Sequence, residues 1–252
     1  IKKIKNGNTD TKLIITGCVA QAEGKAMIKR QPIIDAVIGP QMYHKFKSVL
    51  EEVKKKRVIE LDFESNKKFK KLSEKRLNFS KSSFVSIQEG CDKFCSFCVV
   101  PFTRGAESSR RMIDVYNEIF SLADKGCKEV ILLGQNVNAY HGLNSKGDES
   151  NLAQLISNIE KINHLQRISY TTSHPIDMHD ELIKLHGSSN KLNPYLHLPV
   201  QSGSDKILKL MNRKYTKKSY MQIINQLRNQ CPEIALSSDF IVGYPGETKK
   251  DF

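Results

Sequence analysis

Short apolar runs alternate with stretches of helical periodicity along most of the chain. Residues 12–16 (Lys-Leu-Ile-Ile-Thr) form one such run and stop at Gly17-Cys18, as a buried parallel strand does. Residues 20–30 are helix-like, and residues 35–39 form a second short run, closed by Gly39-Pro40. Phe46, Val49, Leu50 and Val53 then recur at helical spacing within 42–55. This βαβα pattern predicts the end of a small doubly wound α/β domain over residues 1–62. From residue 83 the alternation resumes. Strand-like runs fall at 84–88, 128–134, 167–172, 195–200 and 234–242; helix-like stretches fall at 109–125, 150–161, 177–186, 203–211 and 216–229. Five β/α units with short connections predict a parallel (β/α) barrel, incomplete at its C-terminal side, over 83–252. A doubly wound open sheet is the alternative that periodicity alone leaves open.

Between the two regions the pattern breaks. Residues 66–81 hold seven Lys or Arg, one Glu and few apolar residues, so 63–82 reads as a basic linker, solvated or touching RNA. Over the whole chain 40 Lys and Arg face 27 Asp and Glu, a formal charge of +13. That excess favours a polyanionic partner, nucleic acid first, although a Lys-rich codon bias writes the same composition. No apolar run approaches the roughly 20 residues of a membrane span, and no secretory or transit signal opens the chain, so a cytoplasmic protein without a membrane partner is expected. The chain starts at Ile1 and ends in a charged, helix-like run, and it reads as a piece of something longer.

Three of the six cysteines lie within eight residues: Gly90-Cys91-Asp92-Lys93-Phe94-Cys95-Ser96-Phe97-Cys98. With no secretory signal, such a cluster reads as metal ligation rather than a disulfide framework. Three thiolates so close together need one soft metal centre to relieve their repulsion. Structural zinc commonly takes two C-x2-C knuckles, and only one is present here. Zinc with a borrowed His or Cys127 is the bland alternative. A 4Fe–4S cubane held by three thiolates keeps one iron open for chemistry. The loop follows the first predicted barrel strand, where a barrel places active-site residues.

C-x3-C-x2-C with an aromatic residue before the third Cys resembles the radical S-adenosylmethionine (SAM) superfamily. Further stretches narrow the resemblance: Gly17-Cys-Val-Ala-Gln21, Gly105 with Glu107-Ser-Ser-Arg110, Leu133-Gly-Gln-Asn-Val137, Thr171-Thr-Ser-His-Pro175, 197–205 and 238–247. Together they resemble the radical methylthiotransferases over nearly the whole chain. The Gly-Cys-Val-Ala-Gln and Thr-Thr-Ser-His-Pro runs lean toward the members that modify tRNA. The resemblance implies a transferase that adds a methylthio group at C2 of N6-isopentenyladenosine next to the anticodon. It implies two SAM molecules, one to methylate sulfur and one to supply a 5′-deoxyadenosyl radical. Partners would be tRNA, a reductant such as flavodoxin or ferredoxin, and a sulfur donor. Enzymes of this family carry two 4Fe–4S clusters. Cys91, Cys95 and Cys98 would hold the radical cluster, the one complete site in this chain. Cys18 matches one of three ligands of the auxiliary cluster in an N-terminal methylthiotransferase domain.

The resemblance also assigns cofactor contacts. Phe97 falls near the adenine, Gln135 and Asn136 at the methionine amino group, and Gln201 and Asp239 at the ribose or its neighbours. Ser173 belongs to the same set of strand-end polar residues, with Gln88, Glu89, His174, Ser202 and Ser238. Each has a plain alternative as a turn cap or loop hydrogen bond. Arg213 is read either as partner of the cofactor carboxylate or as solvated surface. His174 and His197 are expected in packing or cofactor hydrogen bonds, Cys127 and Cys231 as structural thiols, and Gly243-Tyr-Pro-Gly246 as a turn. Two near rivals are methylthiotransferases acting on threonylcarbamoyl-adenosine or on a ribosomal-protein aspartate. The rival from another class is a non-catalytic RNA-binding protein with a zinc knuckle.

Overall fold

A computed structural model describes residues 7–8, 10–62, 69 and 80–252. Most of the basic linker expected at 63–82, with Lys67, Lys68, Lys70 and Lys71, therefore lies outside the described residues. The chain divides into two compact units, one of Ile1–Leu72 with Cys98–Ala106, the other of Ser73–Phe97 with Glu107–Phe252.

The first unit is built on three parallel strands in chain order, β1 (Ile14–Thr16), β2 (Ala36–Ile38) and β3 (Val58–Glu60). β2 is wholly buried, as its unbroken apolar run requires. β3 is a strand that the sequence reading passes over: with three residues it is too short to show a period. Helix Cys18–Arg30 follows β1 directly and changes direction at Gly24, whose φ of 47° is not helical. The expected helix over 42–55 is a 3-10 turn, Pro40–Lys45, running into helix Phe46–Glu52. Met42, Val49, Val53 and Val58 close a small core against β2. Phe46 and Leu50 share the predicted apolar stripe but lie on the exposed side.

In the second unit five of the strands match the five predicted runs: β4 (Ser82–Ser86), β7 (Glu129–Leu133), β10 (Arg167–Tyr170), β11 (Tyr195–His197) and β12 (Ala235–Ser237). Two small antiparallel pairs are additions, β5 (Gln88–Glu89) with β6 (Ser108–Ser109) and β8 (Gly142–Leu143) with β9 (Glu149–Ser150). β4, β7 and β10 pair in parallel, with Val85 level with Leu132 and Leu132 level with Tyr170. A parallel bridge from Ile168 to Leu192 continues toward β11, which pairs in parallel with β12. Spatial order thus follows chain order. Right-handed crossovers then send every connecting helix to the same face, which is barrel winding; a doubly wound sheet reverses its order midway. The alternation is therefore a five-stranded partial (β/α) barrel.

Helices Met112–Asp124, Leu152–Ile159, Asp180–Ser188, Asp205–Leu210 and Lys217–Gln230 supply the outer layer. Three of the starts are encoded locally. Asn151 and Gln154 form a capping box, Thr216 and Ser219 another, and Ser204 caps Asp205–Leu210. Val85, Val130, Ile168 and Leu196 from the strands pack with Ile119, Ile156 and Leu227 from the helices. Cys127 and Cys231 belong to this core, as structural thiols do.

Candidate functional site

The loop after β5 carries Cys91 and Cys95, and within the second unit it is tied to the ends of three other barrel segments. At its root Gln88 is 1% exposed. Its Nε2 donates to Gly90 O at 2.7 Å, and its Oε1 accepts from the backbone of Gln135 (2.8 Å) and Asn136 (3.0 Å). One buried amide thereby fixes both the start of the cysteine loop and the turn after β7. Gly134 permits this approach: a Cβ there would lie 2.5 Å from Gln88 Oε1 and 3.0 Å from Gln88 O. Gln135 completes the bracket by accepting from Gly90 N at 2.7 Å.

Further along, Lys93 pairs with Asp177 at 2.8 Å, and Asp177 also accepts from Asn136 Nδ2 at 2.8 Å. Phe94 sits in left-handed backbone, φ 49°, where a non-glycine residue costs energy unless the surroundings hold it. Asn212 Nδ2 holds it, donating to Phe94 O at 2.8 Å. Ser96 N donates to Met211 O, and Ser96 Oγ lies 2.7 Å from the Tyr244 hydroxyl. The turn at 243–246 therefore reaches the cysteine loop through Tyr244. Asp92 accepts from Glu107 N at 3.2 Å. The Glu107–Arg110 stretch otherwise braces the barrel wall: Arg110 bonds Ser86 O and, at 2.6 Å, Glu118.

Arg213 is not solvated surface, one of its two expected placements. It is 8% exposed, and its nitrogens donate to the Tyr215 hydroxyl (2.8 Å), Pro199 O (2.9 Å) and Cys95 Sγ (3.4 Å). Asn136 and Ser173 lie buried at the ends of β7 and β10, and Asn136 Oδ1 and Ser173 Oγ have no hydrogen-bond partner among the described residues. Gln201, φ 72°, is bonded through its backbone to Asp239 O and Ile241 N. Asp239 pairs with His197 at 3.3 Å, and the other ring nitrogen of His197 lies 2.8 Å from Ser237 Oγ. Phe97 is 39% exposed. Cys18 is half-buried at the start of its helix in the first unit, and Cys98 opens the segment counted with that unit. Among the described residues no three His, Cys, Asp or Glu side chains stand in the geometry that holds a single metal ion.

Two histidines part ways electrostatically. Burial, with Arg213 and Lys93 nearby, pushes His174 down to about 3. It stays neutral, with Nδ1 accepting from Ile176 N and its backbone held at both ends by Asn138. This is the packing role expected of it. His141 is instead pushed up to about 9, chiefly by the Glu107 carboxylate beside it. The pair is 3.6 Å apart and lines a polar cavity of about 420 Å³ with Lys93, Glu149, Asp177 and His179. Sequence reasoning missed His141. A lone His in a loop carries no signal until the fold brings Glu107 to it.

The donor chemistry fits an iron–sulfur centre: Cys91, Cys95 and Cys98 form no disulfide, so three soft sulfur donors lie within eight residues, and Cys95 stands beside a buried cation. The two orphaned polar atoms at the strand ends fit a polar cofactor, because buried groups of this kind are costly without a partner. Among the described residues no helix is long and apolar enough to cross a membrane.

Residues 85–252 match the Radical SAM superfamily. Curated relatives named tRNA-2-methylthio-N(6)-dimethylallyladenosine synthase are similar over nearly the whole chain. The protein from Orientia tsutsugamushi (strain Boryong) is 51% identical over 99% of this chain and 56% of its own length. The one from Rickettsia typhi is 52% identical over 100% of this chain and 58% of its own length. The chain thus spans little more than half the length of these relatives. Among solved structures, the cobalamin-dependent S-adenosylmethionine radical enzyme OxsB with aqua-cobalamin and S-adenosylmethionine bound matches 95% of this chain and 37% of its own. It does so at TM-score 0.62 and 13% identity. The radical S-adenosylmethionine methyltransferase TsrM from Kitasatospora setae matches 68% of this chain and 32% of its own at TM-score 0.52 and 18% identity. At those identities the likeness is one of fold. The matched region begins in the barrel strand that leads to the cysteine loop and takes in more than half of the chain, which belongs to the Radical SAM superfamily.

Proposed function

We propose that this chain is the catalytic middle of a tRNA-2-methylthio-N(6)-dimethylallyladenosine synthase, adding a methylthio group at C2 of N6-isopentenyladenosine. The observation that carries this reading is the identity of about half of all positions with relatives of that name, over 99% of the chain. The superfamily implies SAM and a 4Fe–4S cluster. The zinc-knuckle reading loses its basis with that membership. The relatives' name favours the prenylated adenosine over threonylcarbamoyl-adenosine or a protein aspartate.

Cys91, Cys95 and Cys98 would hold the radical cluster, leaving one iron for SAM. When bound, cluster and SAM supply a carbon radical able to take hydrogen from an unactivated aromatic C–H, which acid–base chemistry does not reach. The chain's own residues bind, orient and exclude water. Asn136 Oδ1 and Ser173 Oγ would turn toward the polar end of SAM. Gln135 acts one step back, seating the loop through Gly90. Phe97 would cover the adenine, and Gln201 and Asp239 would serve the ribose side. Residues 1–62 would be part of a methylthiotransferase domain with Cys18 as one auxiliary-cluster ligand, and 63–82 a basic linker to the barrel. A cytoplasmic setting, a flavodoxin- or ferredoxin-like reductant and a sulfur donor complete the reading.

Deleting the gene and analysing bulk tRNA nucleosides by mass spectrometry tests it. The methylthiolated prenyl-adenosine should vanish while its unthiolated precursor accumulates. An unchanged nucleoside profile would refute the assignment.

A further inference from the structure

Arg213 poses an electrostatic problem that the proposed function does not use. A guanidinium is costly to bury unless a negative group balances it. Among the described residues no carboxylate lies within ion-pair distance of Arg213. Two of its three acceptors are neutral oxygens, the Tyr215 hydroxyl and Pro199 O. The third is Cys95 Sγ, the one neighbour able to carry negative charge, and a cluster-bound cysteine is a thiolate. Arg213 is also held against rotating away. Tyr215 donates to Val200 O at 2.8 Å, which turns its oxygen lone pairs toward Arg213 Nε, and the Arg213 backbone N donates to Leu208 O.

We propose that Arg213 is a positioning residue that acts through Cys95: its charged N–H···S bond draws electron density from that ligand sulfur and raises the reduction potential of the radical cluster. Hydrogen bonds and charge at ligand sulfurs are established levers on iron–sulfur potentials. A cation here favours the state with one more electron, so the cluster accepts that electron from a milder reductant. The inference rests on the reading of Cys91, Cys95 and Cys98 as cluster ligands.

Anaerobic reconstitution of the full chain, iron analysis, and an EPR-monitored redox titration with dithionite in the absence of SAM provide the test. Arg213→Met should load iron like the wild type but be about tenfold harder to reduce at a given poise, ~59 mV for a one-electron couple. Arg213→Lys, which keeps the charge and loses the fork, should fall between them. Tyr215→Phe, which removes only a neutral acceptor, should shift the potential least. A loaded Arg213→Met variant with wild-type potential would overturn the proposal. So would loss of iron from both Arg213 variants, which would make Arg213 a clamp on the loop and nothing more. Failure of the wild-type chain to load iron would overturn the cluster reading itself, and this inference with it.

Discussion

β1 and β4 each lead, within a few residues of a parallel strand's end, to a cysteine, and each end is managed by a glutamine laid over a glycine. After β1, Gln21 covers Gly39, where a Cβ would overlap its Oε1, and Gln21 Nε2 ties the helix to Leu61 O at 2.7 Å. After β4, Gln88 covers Gly134 and spends three hydrogen bonds on the cysteine loop and its neighbour turn. The first arrangement joins a helix to its own sheet and leaves Cys18 as one thiol on a helix start. The second draws on the ends of β7 and β10 and the segment after helix Asp205–Leu210 to hold a loop in strained backbone. Similar local devices therefore yield a scaffold in one unit and a preorganised site in the other. The difference is how many distant segments converge.

The largest expected effect lies in the second loop. Cys91→Ala, Cys95→Ala or Cys98→Ala should each abolish SAM cleavage and bring iron in the reconstituted chain near background, since each removes one of three anchors. Cys127→Ala should keep its iron, because that thiol is buried in the core and donates to Glu129 O. Iron lost from Cys127→Ala but kept in Cys98→Ala would reverse the ligand assignment.

Cys18→Ala should separate the two regions in chemistry. In the complete protein, release of 5′-deoxyadenosine should persist while methylthiolated tRNA disappears, both read by mass spectrometry from one anaerobic reaction. Methylthiolation at the wild-type rate would leave Cys18 an ordinary thiol.

The two glycines offer a stability comparison. Gly134→Ala presses on a Gln88 that three bonds hold in place, and on its backbone oxygen. A cost of roughly 1–3 kcal/mol is expected, seen as a Tm lower by several degrees. Gly39→Ala meets chiefly the amide end of Gln21, a flexible side chain with 3.6 Å to the next backbone atom, and should cost less. The reverse order of Tm values would mean that the bracket after β4 is not rigid.

The smallest effect is pH-dependent. His141 is raised from 6.5 to about 9, chiefly by the Glu107 carboxylate beside it. A raised folded-state value stabilises the fold fully below pH 6.5 and is lost as pH rises through about 9. The His141 side chain is 43% exposed, so solvent screens the pair and the gain is modest. Glu107→Gln should flatten the dependence of Tm on pH between 6.5 and 9. An unchanged slope would assign it to another group.

The core strands and helices of the barrel were legible because each buries a continuous apolar run or stripe, and three of the helices start at a local cap such as Asn151 or Thr216. β3, β5, β6, β8 and β9 were not, since two or three residues show no period. That Gln135 seats Gly90 was not legible either, because its side chain turns toward a backbone 45 residues away.

By itself the sequence determined the element order, the three-cysteine loop and the excess of positive charge, all properties of neighbouring residues and their spacing. Barrel winding over double winding, the Gln88 bracket, the Glu107–His141 pair and the burial of Arg213 against Cys95 were decided only by the tertiary structure. Each depends on groups up to 118 residues apart that only the folded chain brings together, and no local pattern encodes that meeting.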